Sequence, residues 1–217
     1  MLHIVIATHN RHKVRELKAL LPVRGIRWRS LNEFGRVRTV EETGRTFDAN
    51  ALKKARAAAR ATGYLALADD SGIEVDAIGG APGIRSARFA GSRGDDDANN
   101  QKLLRVLGDR PLGQRRARYR CSLVLASPLK RIALARGAWE GRIAFRPAGH
   151  RGFGYDPIFL VPRFGKTVAQ LPQRIKRRFS HRAMSAQRLR STLERLVRHE
   201  KAKGKTQKVK VKGKSQN

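Results

Sequence analysis

Two adjacent carboxylates, Asp69 and Asp70, stand out in a chain that is otherwise overwhelmingly basic. They follow the apolar run Leu65-Ala66-Leu67-Ala68 and precede Ser71 and Gly72. Acids where a buried strand stops can hold a hard divalent cation such as Mg²⁺, which takes oxygen ligands from one or two carboxylates, phosphates and water. Asp, Ser and Gly are also turn formers, so these residues alone fit a solvated turn equally well. Four other runs bear on the choice.

Thr8, His9, Asn10, Arg11, His12 and Lys13 lie where an apolar strand gives way to a helix. Free backbone N–H groups and the positive helix end favour an anion there, and Lys13 is close enough to reach a phosphate. Asn10 also suits plain N-capping, and the spacing is not that of a Walker A loop. Glu41 and Glu42 precede a helix that carries Asn50 and Lys54 four residues apart on one face. That pair reads as a phosphate holder or as a solvated face, and the glutamates as a further carboxylate for a metal. In Gly152-Phe153-Gly154-Tyr155-Asp156-Pro157 the glycines permit close backbone approach, and Phe153 offers a face for a base to stack on. Lys176 with Ser180, His181 and Arg182 crowds donors near a helix start. Such donors suit a 6-oxo purine and reject a 6-amino one; capping and a basic surface are the plainer alternative.

The elements that must position these residues alternate. A strand over 2–7 leads into a helix over 11–21, with Val14, Leu17 and Leu21 on one face. A strand over 26–28 follows, then a helix over 46–62 with an alanine side and Gly63 as C-cap. Strands are expected over 65–68 and 73–78, and a helix over 95–107. An antiparallel pair, 118–126 and 131–139, precedes a loop entering a strand over 152–161. Ser180 opens a last helix with Ala186, Leu189, Leu193, Leu196 and Val197 along one face. Strands separated by helices, then a hairpin-rich section, predict an α/β domain with a mixed sheet.

Composition narrows the classes. The 217 residues suit one substantial domain. No run approaches the length of a spanning helix, the short apolar start reads as a first strand rather than a leader, and the single cysteine, Cys121, excludes an intrachain disulfide framework. A reduced, cytoplasmic protein without a membrane role is expected. The net charge of +31 should attract polyanions in a salt-dependent way, unless it is an arginine bias of composition. Residues 200–217 are lysine-rich, acid-poor and without amphipathic period, so they read as a disordered basic tail capable of non-specific nucleic-acid contact, beside a folded domain at 1–199.

Each run is weak alone, but their order and spacing are not. Thr8-His9-Asn10 with Lys13 and Glu16, Glu41-Glu42-Thr43-Gly44 with Phe47, Asn50 and Lys54, Asp69-Asp70-Ser71-Gly72 leading to Gly79-Gly80-Ala81-Pro82-Gly83, Ser86-Ala87-Arg88, Gly152-Phe153-Gly154-Tyr155-Asp156-Pro157 and Ser180-His181-Arg182 occur together. This set resembles the inosine triphosphate pyrophosphatase family, also called XTP/dITP diphosphatases, across about residues 2–197. The resemblance implies Mg²⁺-dependent hydrolysis of deaminated purine nucleoside triphosphates (ITP, dITP, XTP) to the monophosphate and pyrophosphate, which cleanses the nucleotide pool. It further implies an elongated mixed central sheet flanked by helices, two lobes with a substrate cleft between them, and a homodimer. By the same resemblance, Thr8, His9, Asn10, Arg11, His12, Lys13 and Lys54 would hold the triphosphate. Glu41 and Asp70 would bind Mg²⁺, with Asp70 the proton acceptor and Asp69 supporting it. Ser71 would touch substrate, Phe153 would stack on the base beside Gly154, Tyr155 and Asp156, and Lys176, His181 and Arg182 would read the purine edge. Being near cations, Asp70 would be a modest base that mainly positions water. Two departures stand out: His9, where small or amide residues are usual, and the strongly basic stretch 172–178. A nucleic-acid-binding protein on a decayed enzyme scaffold is a different class of reading, against which the intact carboxylates argue. A pyrophosphatase for modified pyrimidines is another, against which His181 and Arg182 argue.

Overall fold

The computed structural model describes residues 1–35, 37, 40–91 and 94–212, without the side chains from 203 onward. Strand β1 (Leu2–Ile6) is followed by α1 (Arg11–Leu20), β2 (Ile26–Ser30), α2 (Phe47–Thr62) and β3 (Leu65–Val75). Then come α3 (Asp96–Leu107), β4 (Arg116–Ala126), β5 (Arg131–Ile143), β6 (Phe159–Val161), β7 (Lys166–Thr167), α4 (Gln173–Phe179) and α5 (His181–Lys212). The strands form one mixed sheet in the order β2-β1-β3-β4-β5-β6-β7. β1 is parallel to both neighbours, and every pairing from β3 onward is antiparallel.

Local chemistry sets the helix ends. The Asn10 side chain accepts from the backbone N–H groups of His12 and Lys13, so it caps α1. Thr46 caps α2, Asp95 caps α3, and the Ser180 hydroxyl accepts from Ala183 N at 3.1 Å. Gly63 ends α2 in the left-handed conformation that glycine tolerates. Small side chains let α2 lie close on the sheet: Ala51, Ala55, Ala58 and Ala59 pack on Val5, Ala66, Ala68 and Val124. On the opposite face α1 and α5 cover Ile4, Ile6, Leu67 and Leu123. A third cluster, around Ile73, Trp139, Phe159 and Val161, builds a second lobe at the far end of β3 and β4.

Two expectations change. The strand does not stop on the carboxylates; β3 runs without a break from Leu65 to Val75. β4 pairs with it throughout, with Asp69 opposite Leu123, Asp70 opposite Ser122 and Gly72 opposite Arg120. A continuous ladder overrides the turn preference of Asp-Ser-Gly, and only Asp76–Ile78 turns, as a 3-10 segment. The last helix also extends to Lys212, into the stretch read as an irregular tail; residues 213–217 of that tail lie outside the described residues. No described helix is long and apolar enough to cross a membrane.

Candidate active site

The site forms because β1 is shorter than β3. β1 pairs with β3 only as far as Leu67, where Ala7 N donates to Leu67 O at 2.8 Å. Beyond that point β1 no longer covers this edge of β3, which the 81–86 segment meets again only from Ile73 to Val75, and the chain leaving β1 becomes the loop into α1. Successive strand residues point to opposite faces, so Asp69 and Asp70 serve different partners.

Asp70 turns toward α2. Its carboxylate accepts from Lys54 Nζ at 2.5 Å, and the same ammonium reaches Glu42 Oε1 at 3.0 Å. Glu42 Oε2 meets Arg88 at 3.2 Å. The acid that joins Asp70 around Lys54 is therefore Glu42, with both of its oxygens engaged; the neighbouring Glu41 is exposed. Asn50 does not present itself to solvent beside Lys54. It is fully buried, and its side-chain oxygen accepts from Gly44 N at 2.7 Å, which braces the loop carrying both glutamates. Burial raises the Asp70 carboxyl above the ordinary range even though Lys54 and Lys13 pull the other way. Asp70 is thus a stronger base than its cationic neighbours alone would make it, a correction to the modest base expected from sequence.

Asp69 turns toward α1 and α5. It is ion-paired with Lys13, receives Arg182 Nε at 2.9 Å and accepts from the Ser71 hydroxyl at 2.9 Å. Burial opposes its charge, but Arg182 and Lys13 outweigh it and hold the carboxyl well below the usual range. Arg182 also binds Glu16 at 2.9 Å and Ser71 at 2.9 Å. This guanidinium is 1% exposed, so it ties α1, β3 and α5 together beneath the cleft as well as bordering it.

Phe153 also lines the site, with Lys176 Nζ 4.6 Å and Arg182 Cζ 5.7 Å from its ring centre and the His12 ring 5.5 Å away. Asp156 organises this part. It accepts from Lys176 at 2.7 Å, from the Tyr119 hydroxyl at 3.0 Å and from Phe153 N at 3.0 Å. Tyr119 in turn stacks on His181, with ring centres 4.6 Å apart and planes 16° from parallel. Burial, reinforced by Arg182, holds the His181 imidazole well below its usual pKa and hence uncharged; its Nδ1 is buried without a hydrogen-bond partner. The start of α5 reaches this place because β5 carries Gly137, where an added Cβ would lie 2.1 Å from His181 O.

These groups line a cavity of 410 Å³. Every residue expected to hold substrate borders it except Arg11 and His12, and of the acids expected around the metal, Asp69, Asp70 and Glu41 do not. Asp70 lies just beneath, bound to the lining residue Lys54, whereas Arg11, His12 and Glu41 are exposed. His9 borders it and bonds Asn32 at 2.9 Å. Sequence reasoning offered Glu42 only beside Glu41 as a metal carboxylate, and it assigned no role to Tyr119 or Glu16. Glu42 stood in view as one of two adjacent acids; Tyr119 could be found only from the pairing that sets it opposite Ile73.

An anion-favouring loop, two lysines and an aromatic ring lining one cavity mark an α/β protein whose cleft suits a phosphorylated ring compound. Comparison with known sequences is more particular: the profile of the Ham1 family matches residues 4–192, and the chain belongs to that family. A dITP/XTP pyrophosphatase of Desulforamulus reducens is 49% identical over 197 residues, covering 91% of this chain and 98% of that protein. The dITP/XTP pyrophosphatase of Bacillus subtilis is 45% identical over 194 residues, covering 89% and 98%. Among solved structures, a HAM1 protein from Coxiella burnetii superimposes with a TM-score of 0.81 at 41% identity, over 89% of this chain and 98% of that one.

Proposed function

We infer that this protein hydrolyses non-standard purine nucleoside triphosphates, dITP and XTP among them, to the monophosphate and pyrophosphate. Identity near one half with dITP/XTP pyrophosphatases along nine tenths of the chain supports this reading most strongly. The cavity is consistent with it, since Lys13, Lys54 and Phe153 all line it. A triphosphate enters with its charge toward the 8–13 loop, Lys13 and Lys54, and its base toward Phe153. Asp70 accepts the proton of the water that attacks the α-phosphorus, and burial suits it to that task. The uncharged His181, Lys176 and Arg182 face the purine edge, where a 6-oxo group is accepted and a 6-amino group is not.

Carboxylate oxygens of the kind Mg²⁺ takes are present, although among the described residues no three or more His, Cys, Asp or Glu gather at one point. Asp70 Oδ1 is occupied by Lys54, while its second oxygen makes no hydrogen bond among the described residues. Glu42 is neutralised by two cations, which leaves the exposed Glu41 carboxylate uncommitted on the same loop. Asp70 and Glu41 would hold the ion, with phosphate and water completing its shell. Bound there, Mg²⁺ supplies charge neutralisation on the phosphates. The same reading carries a homodimer in the cytoplasm, with a basic end from residue 200 that adds non-specific attraction for nucleic acid; light scattering reads the oligomeric state.

The direct test is product analysis across a substrate panel with Mg²⁺. Pyrophosphate is expected from ITP, dITP and XTP, with ATP and GTP turned over far more slowly. Release of single orthophosphate overturns the reaction, and equal rates on all five overturn the purine filter.

A further inference from the structure

The chain's charge is unevenly compensated. Residues 1–140 hold twenty-seven lysines and arginines against fourteen acids, whereas residues 141–193 hold twelve against one, Asp156. That one acid is buried against Lys176 and offers nothing to the surface. Elsewhere arginines commonly meet carboxylates: Arg29 binds Glu33, Arg118 binds Asp76, Arg120 binds Glu74 and Arg136 binds Asp48. In this acid-poor stretch, Arg163, Lys166, Arg174, Arg177 and Arg178 are all exposed, and none contacts a carboxylate among the described residues.

The fold gathers these cations onto one side of the second lobe. Arg163 lies in a 3-10 turn (Pro162–Phe164), Lys166 is in β7 next to it, and the other three are in α4. The Phe164 and Phe179 rings, 5.9 Å apart, join the turn to the helix. Arg163 and Arg178 converge on the Phe179 ring, each with Cζ 5.2 Å from its centre. Two guanidiniums held over one ring with no acid beside them repel each other, and an anion between them relieves that repulsion. Planar forks of this kind match phosphate oxygens, and half-buried rings beneath them are platforms on which bases stack.

We propose that this face, the outer side of α4 with the adjoining turn and β7, binds the phosphodiester chain of a nucleic acid. It is separate from the substrate cavity: of the cations on α4 only Lys176 points inward, to Asp156, while Arg174, Arg177 and Arg178 are exposed. It is also separate from the lysine-rich end of the chain. Guanidiniums laid on aromatic rings, rather than ammoniums around an exposed apolar wedge, favour nucleic acid over a lipid surface.

The test is fluorescence anisotropy of labelled short RNA and DNA with the full chain across a salt series. Three variants are compared: Arg163→Ser/Arg174→Ser/Arg177→Ser/Arg178→Ser, a charge-matched Arg24→Ser/Arg27→Ser/Arg60→Ser/Arg105→Ser, and replacement by Gln of the seven lysines from 201 onward. The first should lose about 10-fold in affinity and flatten the slope of log K against log salt by about two to three, as expected when several phosphate contacts vanish. Its pyrophosphate release should be unchanged. Equal losses in the first two variants reduce the effect to bulk charge and overturn the proposal. So does absence of oligonucleotide binding by the unaltered chain at about 0.1 M salt, where such contacts still register. Binding to anionic phospholipid vesicles without binding to either nucleic acid, or a matching loss of hydrolysis in the first variant, likewise overturns it.

Discussion

Asp69 and Asp70 are neighbours with opposite fates, and the alternation of a strand is the cause. Asp70 has a raised pKa, so its ionised form opposes folding: the stability it offers is present at low pH and fades as pH rises through its folded-state value. Asp70→Asn should therefore leave the melting temperature of the ligand-free protein equal or higher while turnover falls roughly 10²–10⁴-fold, the usual share of a general base; calorimetry and pyrophosphate release measure the two. Asp69 is the reverse case. Its depressed pKa adds stability that is complete above the ordinary carboxylate range and is lost only as pH drops well below it. Asp69→Asn should cost about 3–5 kcal/mol at neutral pH, because Arg182 and Lys13 lose a buried partner, and should flatten acid unfolding followed by circular dichroism. Tyr119 is a positioning residue. Tyr119→Phe keeps the stack on His181 and removes the bond to Asp156, so kcat/KM for ITP should fall about 10-fold, the worth of one hydrogen bond to a charged group. Inhibition by pyrophosphate, which lacks a base, should not change; a parallel loss there would assign Tyr119 to general packing.

Elements were legible where local chemistry dominates. Caps at Asn10 and Ser180, the alanine side of α2 and the leucines of α5 could be read directly, and so could the β4–β5 hairpin. Tertiary pairing hid the rest. Asp-Ser-Gly signals a turn until β4 lies alongside, and α4 carries too many arginines and too few apolar residues to show a helical period. The role of Asn50 depended on where the Gly44 loop falls, and that of Glu42 on which of two acids turns inward. Gly72 shows how closely these elements fit: an added Cβ would lie 2.4 Å from Gly83 O and 2.5 Å from Ser86 Oγ. Gly72→Ala should destabilise by about 1–3 kcal/mol through overpacking and raise KM as the 83–88 turn is pushed from β3. Denaturant titration beside steady-state kinetics checks both.

Across the whole molecule, catalysis and charge are separable. The cavity draws on β1, β3, β4 and the helices around them, whereas Arg163, Lys166, Arg174, Arg177 and Arg178 are not in its lining, and seven more lysines follow residue 200. Replacing the seven terminal lysines by Gln should leave hydrolysis of ITP at its original rate while weakening salt-sensitive retention on a polyanion column.

Arg182 gives this layout a temporal side. One guanidinium, by gripping Asp69 and Glu16 at once, welds the opening and closing portions of the polypeptide to its middle. A ribosome-tethered chain halted before residue 181 would own Asp70, Lys13 and Lys54 yet lack the rivet that binds Asp69 to Glu16. Enzymatic competence would then switch on late in synthesis, in a single stroke, when the final helix leaves the exit tunnel and docks.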